Sequence, residues 1–104
     1  MPRVHGLTTK QLQQILEVIQ ALAPQVQVFA FGSRVLGTQK TYSDLDLALL
    51  DKQALGLKIL EKISLALSET DLPIRIDLVD LKTISPDFLS HIKNDLTPLG
   101  RNHP

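Results

Sequence analysis

Three aspartates carry the chemistry this chain can do. Asp44 and Asp46 stand two apart in Ser43-Asp44-Leu45-Asp46, and Asp77 lies within the apolar run Ile74-Arg75-Ile76-Asp77-Leu78-Val79. In an extended chain residues two apart project to the same side, so Asp44 and Asp46 share one spot while Leu45 and Leu47 turn to the other face. Ionised carboxylates that close repel, and a cation or a proton must compensate. Oxygen-only ligands, with no histidine or cysteine near them in sequence, select a hard ion such as Mg²⁺ or Mn²⁺ over zinc. Upstream, with ten residues between Ser33 and Asp44, stands Gly32-Ser33. Glycine lets the backbone approach a phosphate closely, and Ser33 offers its hydroxyl and an amide at the start of a short helix. Arg34 is suited to a charge-assisted phosphate contact or, equally, to a surface salt bridge.

The elements that must position these residues are legible from periodicity and punctuation. Thr8-Thr9-Lys10-Gln11 reads as a capping box, and Leu12, Ile15, Leu16, Ile19, Leu22 and Ala23 recur at helical spacing until Pro24 stops the pattern. Val26 to Phe31 is a short β-branched and aromatic run ending at Gly32, hence a strand. Asp44 to Leu50 is a second strand, continuously apolar after its aspartates, as expected where both faces are buried. Ala54 to about Ser68 gives a second amphipathic helix through Ile59, Leu60, Ile63, Ala66 and Leu67. Asp71-Leu72-Pro73 breaks the chain before a third strand, Ile74 to Val79. Ser85-Pro86-Asp87 opens a last helix whose buried face would be Phe88, Leu89 and Ile92.

The connection from Phe31 to Asp44 is too short for a crossover, so the first two strands should be antiparallel neighbours, with Gly32-Ser33 beside Asp44. The longer helical connection to the third strand favours a parallel partner, which brings Asp77 alongside the pair. The expected fold is therefore α/β, a small mixed sheet with flanking helices. With 104 residues the chain makes one domain, its core running from about 8 to 95 and its tail, 96–104, flexible beyond at most one short edge strand. Eleven basic residues balance eleven acidic ones, and there are only three phenylalanines and one tyrosine, which argues against a nucleic-acid groove built on charge and stacking. Cysteine is absent, so disulfides and thiolate metal sites are excluded. No apolar stretch approaches a membrane span and the polar start lacks a signal-peptide core, which reads as a cytoplasmic protein. A Walker loop, a dinucleotide fingerprint and a serine-hydrolase elbow are all missing around Gly32. His5, His91 and His103 are scattered without ligand spacing and read as surface residues; Thr41 and Tyr42 read as turn residues, and Asp80 as a strand-end cap.

Phe31-Gly32-Ser33-Arg34 with Ser43-Asp44-Leu45-Asp46-Leu47-Ala48, followed by a strand aspartate, resembles the minimal nucleotidyltransferases of the DNA polymerase β superfamily. The resemblance spans about Val26 to Ile92. It implies a polymerase beta-like nucleotidyltransferase fold, nucleotide binding at Gly32, Ser33 and Arg34, and a catalytic triad of Asp44, Asp46 and Asp77. Asp44 and Asp46 would hold both of two Mg²⁺ ions, with Mn²⁺ as a substitute. Asp77 would bind the catalytic one and help deprotonate the attacking hydroxyl. ATP is the implied donor. The implied partner is a HEPN-domain toxin, neutralised in a hetero-oligomer by transfer of AMP to a hydroxyl, typically a tyrosine. The competing readings are a catalytically silent antitoxin acting by contact alone and a small-molecule nucleotidyltransferase, which normally carries a further domain. The chain departs from the family at Leu36, where many relatives carry a second arginine, and in a proline-bearing C-terminus without the usual apolar last strand.

Overall fold

The computed structural model describes residues 4–100, which form four helices and four strands. Helix α1, Thr9–Leu22, starts at the expected capping box: Thr8 accepts from the Gln11 amide while the Gln11 side chain accepts from the Thr8 amide. Strand β1, Gln27–Phe31, runs into the single-turn helix α2, Ser33–Leu36, and after a loop strand β2 follows at Leu45–Leu50. Helix α3, Leu57–Ser68, begins three residues later than its apolar pattern suggests. Gly56, at φ 87°, has no helical backbone and sets the boundary. Strand β3, Ile76–Asp80, helix α4, Pro86–Ile92, and strand β4, Thr97–Gly100, complete the chain.

The sheet order is β3-β2-β1-β4. As the connection lengths require, β1 pairs antiparallel with β2, and β2 pairs parallel with β3. The last strand is the short edge strand expected in the tail, so the sheet extends beyond the boundary drawn at 95; residues 101–104 lie outside the described ones. Pro98 faces Phe29 in a pairing with β1 that shifts register between Val28 and Phe29. An edge position tolerates the missing proline N–H, and Leu99 anchors the strand in the core at 7% exposure.

Alternation along the strands sorts the side chains to two faces. Leu45, Leu47 and Leu49 join Val28, Ala30, Ile15 and Ile19 of α1, and Ile63 and Leu67 of α3, in the main core. The other face carries Phe31, Ala48 and, from α4, Ile92, with Phe29, Val79 and Leu96 packed around them. One expectation fails on α4: Ile92 is buried, but Phe88 and Leu89 remain 37% and 36% exposed. The helix has seven residues and lies on the sheet through Ile92 and an edge-to-face contact of Phe88 on Phe31, centroids 6.1 Å apart. The side of α4 that carries Leu89 stays open to solvent. The core also starts earlier than expected, because Val4 is buried at 5% exposure.

Candidate active site

The three aspartates meet at the end of the sheet where β1 terminates. Asp46 is the register partner of Phe31 on one side and of Asp77 on the other. Pleating then puts Asp46 and Asp77 on the face that carries Ala48 and Val79, away from the main core. Asp44 precedes β2, and Leu45 opens the ladder by donating its amide to the Arg75 carbonyl at 2.9 Å. Asp44 nonetheless lies near enough to Asp77 to help raise its pKa, after desolvation.

Gly32 closes the site from β1. Its φ of 84° and ψ of −159° belong to glycine, and a Cβ there would collide with Oδ2 of Asp46. The turn and the second aspartate are thus in direct contact. Ser33 begins α2 with its backbone carbonyl taken by the amides of Gly37 and Thr38.

Crowding shows in the acid–base properties. Partial burial pushes the Asp46 carboxyl above its ordinary value, and the nearby charges of Asp77 and then Asp44 push it further. Asp77 is also raised, first by desolvation and next by its hydrogen bond with Asp44, while Arg75 at 3.3 Å pulls the other way. Both shifts come first from desolvation and then from the neighbouring carboxylates. The donor set is all carboxylate oxygen, and this fits a hard divalent cation in kind. Among the described residues no group of three such side chains is placed to hold one metal ion, and Asp77 is paired with Arg75 at 3.3 Å.

Arg34 requires a correction. The surface alternative for it fails: it is 3% exposed. Its Nε and Nη2 donate to the Ser43 carbonyl at 3.0 and 2.9 Å, Nη2 also to Thr41 at 3.2 Å, and Nη1 to His5 at 2.9 Å. A buried guanidinium is retained when carbonyl oxygens satisfy its donors, and those acceptors belong to backbone that sequence patterns do not reveal. The participation of His5 and Gly6 was missed for the same reason. A Cβ on Gly6, at φ 85°, would collide with Nη1 of Arg34. Thr41 and Tyr42 form a turn, as read, with Tyr42 86% exposed. Asp80 caps the end of β3: it is 2% exposed and accepts from the Leu55 and Lys82 amides at 2.7 and 2.9 Å. His91 is exposed and His5 half-buried, while His103 lies outside the described residues.

A depression of about 320 Å³ is lined by Gln25, Gln27, Leu50, Asp51, Lys52 and Lys82. Because Gln27 pairs with Leu50, it sits at the opposite end of the sheet from the carboxylates. Among the described residues, no helix is long and apolar enough to cross a membrane.

Comparison with known proteins agrees with this geometry. Residues 13–101 match the family described as polymerase beta, nucleotidyltransferase. The chain is similar to the probable protein adenylyltransferase MntA of Haemophilus influenzae, with 41% identity over 87 residues that cover 84% of this chain and 76% of that protein. Its fold is similar to a chain in the crystal structure of a toxin–antitoxin with AMP-PNP, at a TM-score of 0.75 and 25% identity, covering 86% of this chain and 73% of that one. A complex of a tri-AMPylated Shewanella oneidensis HEPN toxin with an MNT antitoxin shares the fold at a TM-score of 0.70 and 20% identity, over 90% of this chain and 73% of that one.

Proposed function

The chain belongs to the polymerase beta nucleotidyltransferase family, and from that membership we propose that it transfers AMP from ATP to a hydroxyl of a HEPN-type toxin, a tyrosine by preference, and so acts as its antitoxin. The observation that carries the reading is the register of β2, which sets Asp46 beside Asp77 and against Gly32. Similarity to a probable protein adenylyltransferase and to a toxin–antitoxin chain crystallised with AMP-PNP supports both the donor and the kind of partner.

In this reading Gly32 and Ser33 bind the triphosphate through backbone and hydroxyl, and glycine at the turn allows the phosphate to approach. Asp44 and Asp46 would hold two Mg²⁺ ions, one of them shared with Asp77. When bound, these ions stabilise charge on the attacking and leaving oxygens of an in-line displacement. Asp77 would help deprotonate the acceptor hydroxyl as a positioned carboxylate base. The acceptor oxygen forms its bond to the α-phosphorus as the bond to pyrophosphate breaks. Arg34 donates to the backbone carbonyls of His5, Thr41 and Ser43, so this reading assigns the phosphate contacts to Gly32 and Ser33.

The test is intact-mass analysis of the partner toxin after incubation with this protein, ATP and Mg²⁺. The reading expects the mass of one or more AMP groups, absent when Asp44→Asn or Asp46→Asn replaces the parent. Neutralisation of an unmodified toxin would favour inhibition by contact alone.

A further inference from the structure

Asp44 stands outside the sheet ladder, yet its neighbours on both sides are fixed. On its C-terminal side the Leu45 amide is bound to β3 through the Arg75 carbonyl at 2.9 Å. On its N-terminal side the peptide joining Ser43 to Asp44 presents its carbonyl to two N–H groups of Arg34, at 3.0 and 2.9 Å. We propose that Arg34 is a positioning residue: by gripping the Ser43 carbonyl from within α2, it fixes the Asp44 carboxylate relative to the Gly32-Ser33 turn.

The geometry makes one rigid unit of parts far apart in sequence. Arg34 belongs to the same turn of helix as Ser33, so whatever holds Arg34 to Ser43 also sets the distance from the turn to the first aspartate. A third bond, to the Thr41 carbonyl at 3.2 Å, spans the tip of the loop. The N-terminal segment secures the opposite side of the guanidinium. His5 and Arg34 exchange bonds, the His5 amide donating to the Arg34 carbonyl at 2.8 Å and Nη1 of Arg34 donating to the His5 carbonyl at 2.9 Å. Val4 is buried at 5% exposure, which ties this segment into the core. Only a planar fork with donors on several edges can serve Ser43, Thr41 and His5 together; a lysine ammonium keeps the charge but cannot span them. Groups that orient a metal-binding carboxylate without touching the ion typically alter metal affinity or activity by about 10–100-fold when removed.

This inference rests on the carboxylates binding a divalent cation, as in the proposed function, so the test reads metal affinity directly and transfer separately. Mn²⁺ binding without nucleotide is titrated for the parent and for Arg34→Lys, together with thermal unfolding and the KM for ATP and kcat of transfer. The expected result is an Arg34→Lys protein with the parent's far-UV spectrum, Mn²⁺ affinity lower by about 10–100-fold, kcat lowered, and KM for ATP little changed. An unaltered Mn²⁺ affinity in folded Arg34→Lys, whatever its melting temperature, would reduce Arg34 to a structural role. A rise confined to KM for ATP would make it a phosphate ligand after all. Either outcome overturns the proposal. If Arg34→Lys does not fold, Gly6→Ala carries the same readout, because its Cβ displaces Nη1 while the arginine remains; unaltered Mn²⁺ affinity there overturns the proposal too. A parent that binds Mn²⁺ but transfers nothing refutes the proposed function while the affinity comparison stands. A parent that binds no Mn²⁺ removes the role of Arg34 with the metal site itself.

Discussion

Gly32→Ala should damage this protein twice, through backbone strain and through Asp46, and the two effects can be separated. The φ of 84° and ψ of −159° at Gly32 lie where a side chain is strained, at a cost of about 1–3 kcal/mol. For a domain of this size that corresponds to a fall in melting temperature of roughly 4–8 °C per kcal/mol. The added Cβ would also stand 3.3 Å from Cγ of Asp46 and inside contact with its Oδ2, so the carboxylate must turn away. A displacement on the order of 1 Å at a reacting centre costs about 10²-fold in rate.

A double-mutant cycle with Asp46→Ala tests the reasoning in equilibrium urea unfolding. With the carboxylate removed, Gly32→Ala retains its backbone strain but loses the collision, so it should cost less than in the parent. Residues in contact typically show a coupling of about 0.5–3 kcal/mol, whereas independent sites add within ~0.3–0.5 kcal/mol. The transfer rate of Gly32→Ala alone, at saturating ATP, reports the displaced carboxylate. Strict additivity in unfolding combined with a parental transfer rate would refute the contact between turn and aspartate as the reason for glycine at this position.

The other expectations concern the carboxylates. Because the folded pKa of Asp46 is raised above 3.8, the stability linked to its proton is fully present below that value and is lost as pH rises through the folded pKa. Asp46→Asn should therefore be more stable than the metal-free parent at neutral pH and should show a flatter stability–pH curve above 3.8; parallel curves would contradict the shift. Mg²⁺ with a non-hydrolysable ATP analogue should raise the stability of the parent by about 2.7 kcal/mol at 100 times the dissociation constant, and an unchanged melting temperature at saturation would reject the site. Asp77→Asn should still bind the toxin but fail to protect cells from it, and protection by Asp77→Asn with the toxin unmodified would show that neutralisation needs no transfer.

What was legible in the sequence was whatever depends on local period and connection length. The short link from Phe31 to Asp44 forces an antiparallel neighbour, and the helical link permits a parallel one, so the pairing of Asp46 with Asp77 follows from spacing. What was not legible depends on backbone acceptors and on tertiary cover. The pattern around Arg34 is the same whether it faces phosphate or the carbonyls of His5, Thr41 and Ser43, because every residue carries a carbonyl. Phe88 and Leu89 satisfy helical spacing, but spacing cannot say how much sheet a seven-residue helix has to lie on. Pro98 argues against a strand only where its amide would be needed, and an edge partner of β1 does not need it.

The alternation in β2 also explains how the fold holds like charges together. Leu45, Leu47 and Leu49 are each fully buried in the main core, and Asp46 lies between the first two on the opposite face. Full burial of a leucine contributes about 1.5–3 kcal/mol, so three of them resist slippage strongly. A shift of one residue would move all three to the α4 face and drive Asp46 into the apolar layer beneath α1 and α3. The crowding that raises the pKa of Asp46 and Asp77, by desolvation first and by repulsion second, cannot relax by that route, because the leucines fix the register against it. It can be relieved only by a proton or a cation, or by movement of the one aspartate outside the ladder, Asp44. That residue is the one whose preceding carbonyl is gripped by Arg34. With the register fixed by the core and Asp44 held from α2, the divalent cation of the proposed function would supply the charge that Arg75 alone, at 3.3 Å from Asp77, does not.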